Sequence, residues 1–105
     1  MWERYKQLCM ERLSVIEEAR TAASSGALDD GVRGSAESAA HKLAGVLGSI
    51  GLPESSVIAS EIEALLQPGN ALATGQILRF SELVANLRSQ LTHGPTANDD
   101  SSVTR

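Results

Sequence analysis

His41 is the side chain in this 105-residue chain whose type and setting best suit covalent chemistry. It lies in AAHKLAGVLGSIGL, residues 39–52, which reads as helix yet holds three glycines. Each glycine in a helix interior costs about 1 kcal/mol relative to alanine. Helical residues advance about 100° each, so with His41 at zero, Gly34, Glu37, Gly45 and Gly48 fall within about 40° of it. Val32, Ala36, Ala39, Leu43, Val46, Leu47 and Ile50 fall on the opposite side. The apolar set predicts the buried face. The imidazole is therefore expected to point outward over surface stripped of side chains, where another protein's active site can come close.

A neutral imidazole is nucleophilic near neutral pH. It can attack phosphorus and hold a phosphoryl group covalently. The mostly dissociative transition state of that transfer asks for in-line positioning and charge neutralisation more than for acid/base groups on the acceptor. One exposed histidine then suffices, provided a partner brings Mg²⁺ and the phosphoryl donor.

The elements that must position this residue are legible as periodic stripes. Trp2, Tyr5, Cys9, Leu13, Ile16, Ala19 and Ala23 recur at three- and four-residue steps, with Leu8 and Val15 widening the stripe. That pattern predicts an amphipathic helix over 2–24, closed by Gly26. Asp29-Asp30 offers N-cap oxygens for a second helix running to about Ile50, with Gly51 as its left-handed terminator. Leu52-Pro53-Glu54 opens a third helix whose inward stripe is Ile58, Ile62 and Leu65, with Val57 and Leu66 at the margins. Pro68-Gly69-Asn70 is a turn signal. A fourth helix follows to about Thr92, with Ile77, Phe80, Leu83, Val84, Leu87 and Leu91 inward. The expected fold is all-α, an antiparallel up-down four-helix bundle over 1–92. HGPTANDDSSVTR, residues 93–105, lacks periodicity and is expected to be a flexible tail or linker.

Composition narrows the function classes. Net charge is −4 and lysine occurs only at Lys6 and Lys42, so no basic nucleic-acid footprint is present and attraction to an anionic membrane is not expected. Cys9 is the single cysteine, which rules out a disulfide within the chain. No Cys/His cluster has metal-ligand spacing, and there is no P-loop or kinase-type Gly-rich loop. The opening MWERYKQLCMER lacks the apolar run of a signal peptide. These features point to a reducing, cytoplasmic compartment.

The run His41-Lys42-Leu43-Ala44-Gly45, followed by Gly48, Ser49, Ile50, Gly51 and Leu52, resembles the signature of histidine-containing phosphotransfer (HPt) domains. Ser60-Glu61-Ile62-Glu63 is similar to the family's third-helix segment, and the resemblance covers roughly residues 3–92. It implies a four-helix bundle that relays phosphoryl groups between aspartates of receiver domains in two-component signalling. His41 would be the phosphoacceptor, and Gly45 would leave room for the phosphoryl group and the partner.

Many members carry lysine three residues after the histidine; here that position is Ala44. Lys42, about 100° round the helix, would reach the phosphate from the flank or remain a solvated lysine. Glu63 matches a position whose Gln or Glu bonds the histidine ring; accepting from Nδ1–H would leave Nε2 free for attack. The alternative for Glu63 is a surface glutamate, and Glu61 is read as solvated. Arg12 and Arg33 are secondary candidates for phosphate or partner contacts, with a solvated role the favoured reading for both, and His93 is not a second phosphosite.

Partners implied are response-regulator receiver domains, a hybrid histidine kinase, or both. Mg²⁺ is expected in the receiver, no cofactor in this chain, and a monomer in solution. WERYKQ and the polar tail are also similar to HPt domains heading longer chains, ahead of a receiver and a nucleotide-cyclase output domain. Two other readings stay open: a pseudo-HPt bundle that binds a receiver or kinase without accepting phosphate, and a helical dimerisation module.

Overall fold

The computed structural model describes residues 2–70 and 72–93, the side chain of Trp2 excepted. They form four helices, α1 (Trp2–Ser24), α2 (Asp30–Ser49), α3 (Pro53–Leu65) and α4 (Thr74–His93). Among the described residues there is no strand. Residues 94–105, which contain nearly all of the expected tail, lie outside the described residues; His93 itself is the last residue of α4.

Local chemistry sets the boundaries. Asp29 caps α2, its carboxylate accepting from the Val32 amide at 2.7 Å. At the other end the Leu52 amide donates to the Leu47 carbonyl at 2.9 Å, closing the helix through Gly51 at φ +86°. Gly26, at φ +76°, ends α1 in the same way, with the Ala27 amide on the Ala22 carbonyl at 2.7 Å. Pro53 occupies the first turn of α3, where its missing N–H is no loss.

Each helix packs on two others, α1 on α2 and α4, and α3 on α2 and α4. Cross-helix bonds fix the directions. Early α3 meets late α4 through Ser55 and Gln90, and later α3 meets early α4 through Glu61 and Arg79. Early α2 meets the end of α3 through Arg33 and Leu66, while late α2 meets early α3 through Ala44 and Ser56. Neighbouring helices are thus antiparallel, and the four apolar stripes converge on one core. Phe80, Leu13, Ile16, Leu43, Ile62 and Leu87 are wholly buried there.

Three packing expectations need correction. Leu66, placed at the margin, is wholly buried, whereas Leu65 is only half-buried. α3 ends at Leu65, and the departing turn swings the next side chain under the bundle. Ile77 is half-buried rather than inward, because it lies in the first turn of α4 at the bundle's rim. Ala40, left out of the apolar set, is completely buried, so the inward face of α2 is wider than its large residues suggested.

Candidate functional site

Because the caps set the length of α2 and its Leu43–Leu47 face turns into the core, His41 emerges on its solvent side, midway along the helix. Its side chain is 73% exposed. Nδ1 stands 3.1 Å from Oε2 of Glu63, whose own side chain is 26% exposed. α3 crosses behind the imidazole and brings that carboxylate up from the flank. A carboxylate only accepts, so in this contact Nδ1–H donates; a neutral ring held in this way carries its lone pair on Nε2, which bonds to no described residue.

The glycines divide into two kinds. A Cβ built on Gly45 would meet no heavy atom within 4 Å, and the same holds for Gly34. Gly48 differs: a Cβ there would lie 3.5 Å from Oγ of Ser56. Ser56 donates to the Ala44 carbonyl at 2.8 Å and ties the start of α3 to α2. The bare backbone beside His41 is therefore open at Gly45, while Gly48, although exposed, faces the α2–α3 seam.

On the other flank, α1 and α2 form a groove lined by Tyr5, Arg12, His41, Lys42, Gly45, Val46, Ser49 and Ile50. Lys42 is exposed there and also lines its continuation past Arg12 toward Gly34. Ala44 is half-buried against the core and brings no charge. Arg12 and Lys42 thus lie on the α1 side of His41, with Glu11 and Asp30 further along that groove, and the Glu63 carboxylate lies on the α3 side.

Other polar residues have structural duties. Arg33 donates from Nε to the Leu66 carbonyl at 3.0 Å and from Nη2 to the Gln67 carbonyl at 2.8 Å and the Asn70 carbonyl. It satisfies the carbonyls left open at the end of α3. This corrects its candidacy for a phosphate contact: it sits eight residues before His41, about 12 Å along the axis, with its Nε and Nη2 committed to those carbonyls. Nothing local signals this role, since the partners are more than thirty residues away.

Glu61, read as solvated, pairs with Arg79 at 3.4 Å across an exposed surface, a contact of small energetic weight. Nδ1 of His93 bonds the Ser89 carbonyl at 2.7 Å in the last turn of α4. Burial pushes the thiol of Cys9 up from its ordinary value, with nearby Arg12 partly opposing. Among the described residues no group of three His, Cys, Asp or Glu side chains could hold a metal ion, and no helix is long and apolar enough to cross a membrane.

No curated protein and no solved structure matched the chain. A protein-family model did, the Hpt domain, over residues 1–94. With helical architecture and every described residue inside that match, the protein belongs to the Hpt domain family.

Proposed function

We propose that the chain is a phosphoryl carrier in a two-component relay, with Nε2 of His41 as the acceptor. The observation that carries this reading is the pairing of Nδ1 with Glu63 at 3.1 Å on a ring that is otherwise 73% exposed. The Nε2 lone pair attacks the phosphorus of an aspartyl phosphate on a receiver domain. The N–P bond forms as the P–O bond to the aspartate breaks, and that carboxylate leaves with the electron pair. The Nδ1 proton stays in place, so the ring becomes positively charged and the Glu63 carboxylate balances it. Reversal passes the group on to another aspartate.

Mg²⁺ held by the receiver neutralises the phosphoryl oxygens during transfer. The open backbone at Gly45 admits the receiver's acidic pocket. Partners are response-regulator receiver domains or a hybrid histidine kinase, meeting a monomeric carrier transiently in the cytoplasm. The chain is not expected to bind ATP itself.

Transfer of radiolabel or intact-mass gain from a phosphorylated receiver, in the presence of Mg²⁺, tests the assignment. Labelling of the wild type and its loss in His41→Gln, with helicity retained, is the expected outcome. Equal labelling of that variant would reject the site.

A second reading draws on Ala44, which leaves no cation three residues after the histidine. In that case the bundle binds a receiver or kinase without accepting phosphate. It predicts no transfer to the wild type and unchanged receiver binding by His41→Gln.

A further inference from the structure

Arg12 carries the buried polar side-chain atom that lacks a hydrogen-bond partner among the described residues, its Nε. The arginine ion pairs found there use Arg79 and Arg88, and Arg33 is committed to backbone carbonyls. Arg12 takes part in none of these contacts. A guanidinium cannot shed its charge, and an unpaired buried donor is unfavourable unless some state of the protein supplies an acceptor. Arg12 lines the α1–α2 groove beside His41, Lys42 and Gly45. Moving its side chain toward the imidazole breaks no hydrogen bond seen among the described residues.

We infer that Arg12 is the guanidinium that receives the phosphoryl oxygens once His41 is phosphorylated, a charge-balancing contact supplied from α1. This inference rests on His41 being the acceptor. The phosphoryl group adds negative charge beside Glu63, which repels it toward the α1 side of α2, where Arg12 and Lys42 are the charged residues that line the groove with His41 and Glu11 and Asp30 lie further along. A planar guanidinium offers two parallel N–H donors to phosphate oxygens, which the ammonium of Lys42 does not. Lys42 contributes from the same flank as a point charge.

The test needs no partner protein. Phosphoramidate phosphorylates histidine directly: the N–P bond to Nε2 forms as the reagent's own P–N bond breaks and ammonia leaves. His41→Gln identifies the signal of the phosphorylated ring. In the wild type, the Arg12 Nε–H proton resonance should move downfield on phosphorylation of His41. The ³¹P titration midpoint of the phosphoryl group should rise by about 0.5 pH unit in Arg12→Gln, because loss of a nearby cation disfavours the dianion. Arg12→Lys should restore part of that shift, and Lys42→Ala should produce a smaller one.

An Arg12 resonance indifferent to phosphorylation, or a midpoint equal in wild type and Arg12→Gln, would overturn the assignment of Arg12 alone. The resonance is read on the wild-type sequence before and after phosphorylation, so it decides the matter even where Arg12→Gln folds poorly. A folded wild type that takes no phosphoryl group at His41 would remove the acceptor reading and this one together.

Discussion

The imidazole of His41 and the carboxylate of Glu63 meet at 3.1 Å, although 22 positions separate them and they belong to different helices. The contact occupies Nδ1 alone. Nε2 bonds to no described residue, on a side chain that is 73% exposed.

Removing the carboxylate tests that arrangement. Glu63→Ala is expected to slow single-turnover phosphotransfer about five-fold, the equivalent of roughly 1 kcal/mol for an exposed charge-assisted hydrogen bond. Glu63→Gln should recover part of the loss, since an amide oxygen still accepts from Nδ1–H. Nitrogen NMR of the ring should show the Nδ1–H tautomer of the wild type giving way to Nε2–H in Glu63→Ala. An unchanged tautomer would remove Glu63 from the site.

Gly45 separates folding from function. Because its Cβ position is open, Gly45→Ala should raise stability by about 0.5–1 kcal/mol through helix propensity. Gly45→Leu should also fold. Both substitutions are expected to slow transfer from a receiver, the larger one more. Urea unfolding and transfer assays run on the same samples should thus move in opposite directions.

Arg33 is expected to behave in the reverse manner. Its guanidinium satisfies the carbonyls of Leu66, Gln67 and Asn70. Arg33→Ala should cost about 2 kcal/mol and lower Tm by an amount on the order of 10 °C. Arg33→Lys should recover little, because an ammonium cannot reproduce the fork. Phosphotransfer per folded molecule should stay at the wild-type level.

The Glu17–Arg88 pair predicts a pH dependence far from the candidate site. Arg88 donates from Nη2 to Oε1 of Glu17 at 2.8 Å, and this hydrogen bond holds the Glu17 carboxyl below its usual 4.5. A depressed folded-state value means stability that is present above the unfolded value and lost as pH falls through the folded one. The difference in urea midpoint between wild type and Glu17→Gln should be largest near neutrality and shrink as pH drops below about 4.5. A difference that stays constant down to strongly acidic pH would mean that the ion pair contributes nothing.

Much of this protein can be read along the chain, because helices are written in local terms. A 3.6-residue apolar period, an aspartate at an N-cap, a proline in a first turn and a glycine at a left-handed terminator each act within a few residues of their own position. α1, α2, α3 and α4 therefore begin and end close to where the residues alone put them, and the outward direction of His41 follows from the angle between it and the Leu43–Leu47 face.

Other features depend on distances between segments remote in sequence, and no local signal encodes those. The exchange of Leu65 for Leu66 in the core depends on how the chain leaves α3. The engagement of Arg33 by three carbonyls, the placing of Gly48 against Ser56 and the unpaired Nε of Arg12 arise only when helices dock. Residue order by itself determined that four amphipathic helices form and that an imidazole stands on the solvent side of the second. Tertiary packing alone decided that Glu63, which the family resemblance offered beside a surface reading, stands 3.1 Å from that imidazole, and which arginine lines the groove beside it without a hydrogen-bond partner, because helix-to-helix register is a collective outcome of filling one core.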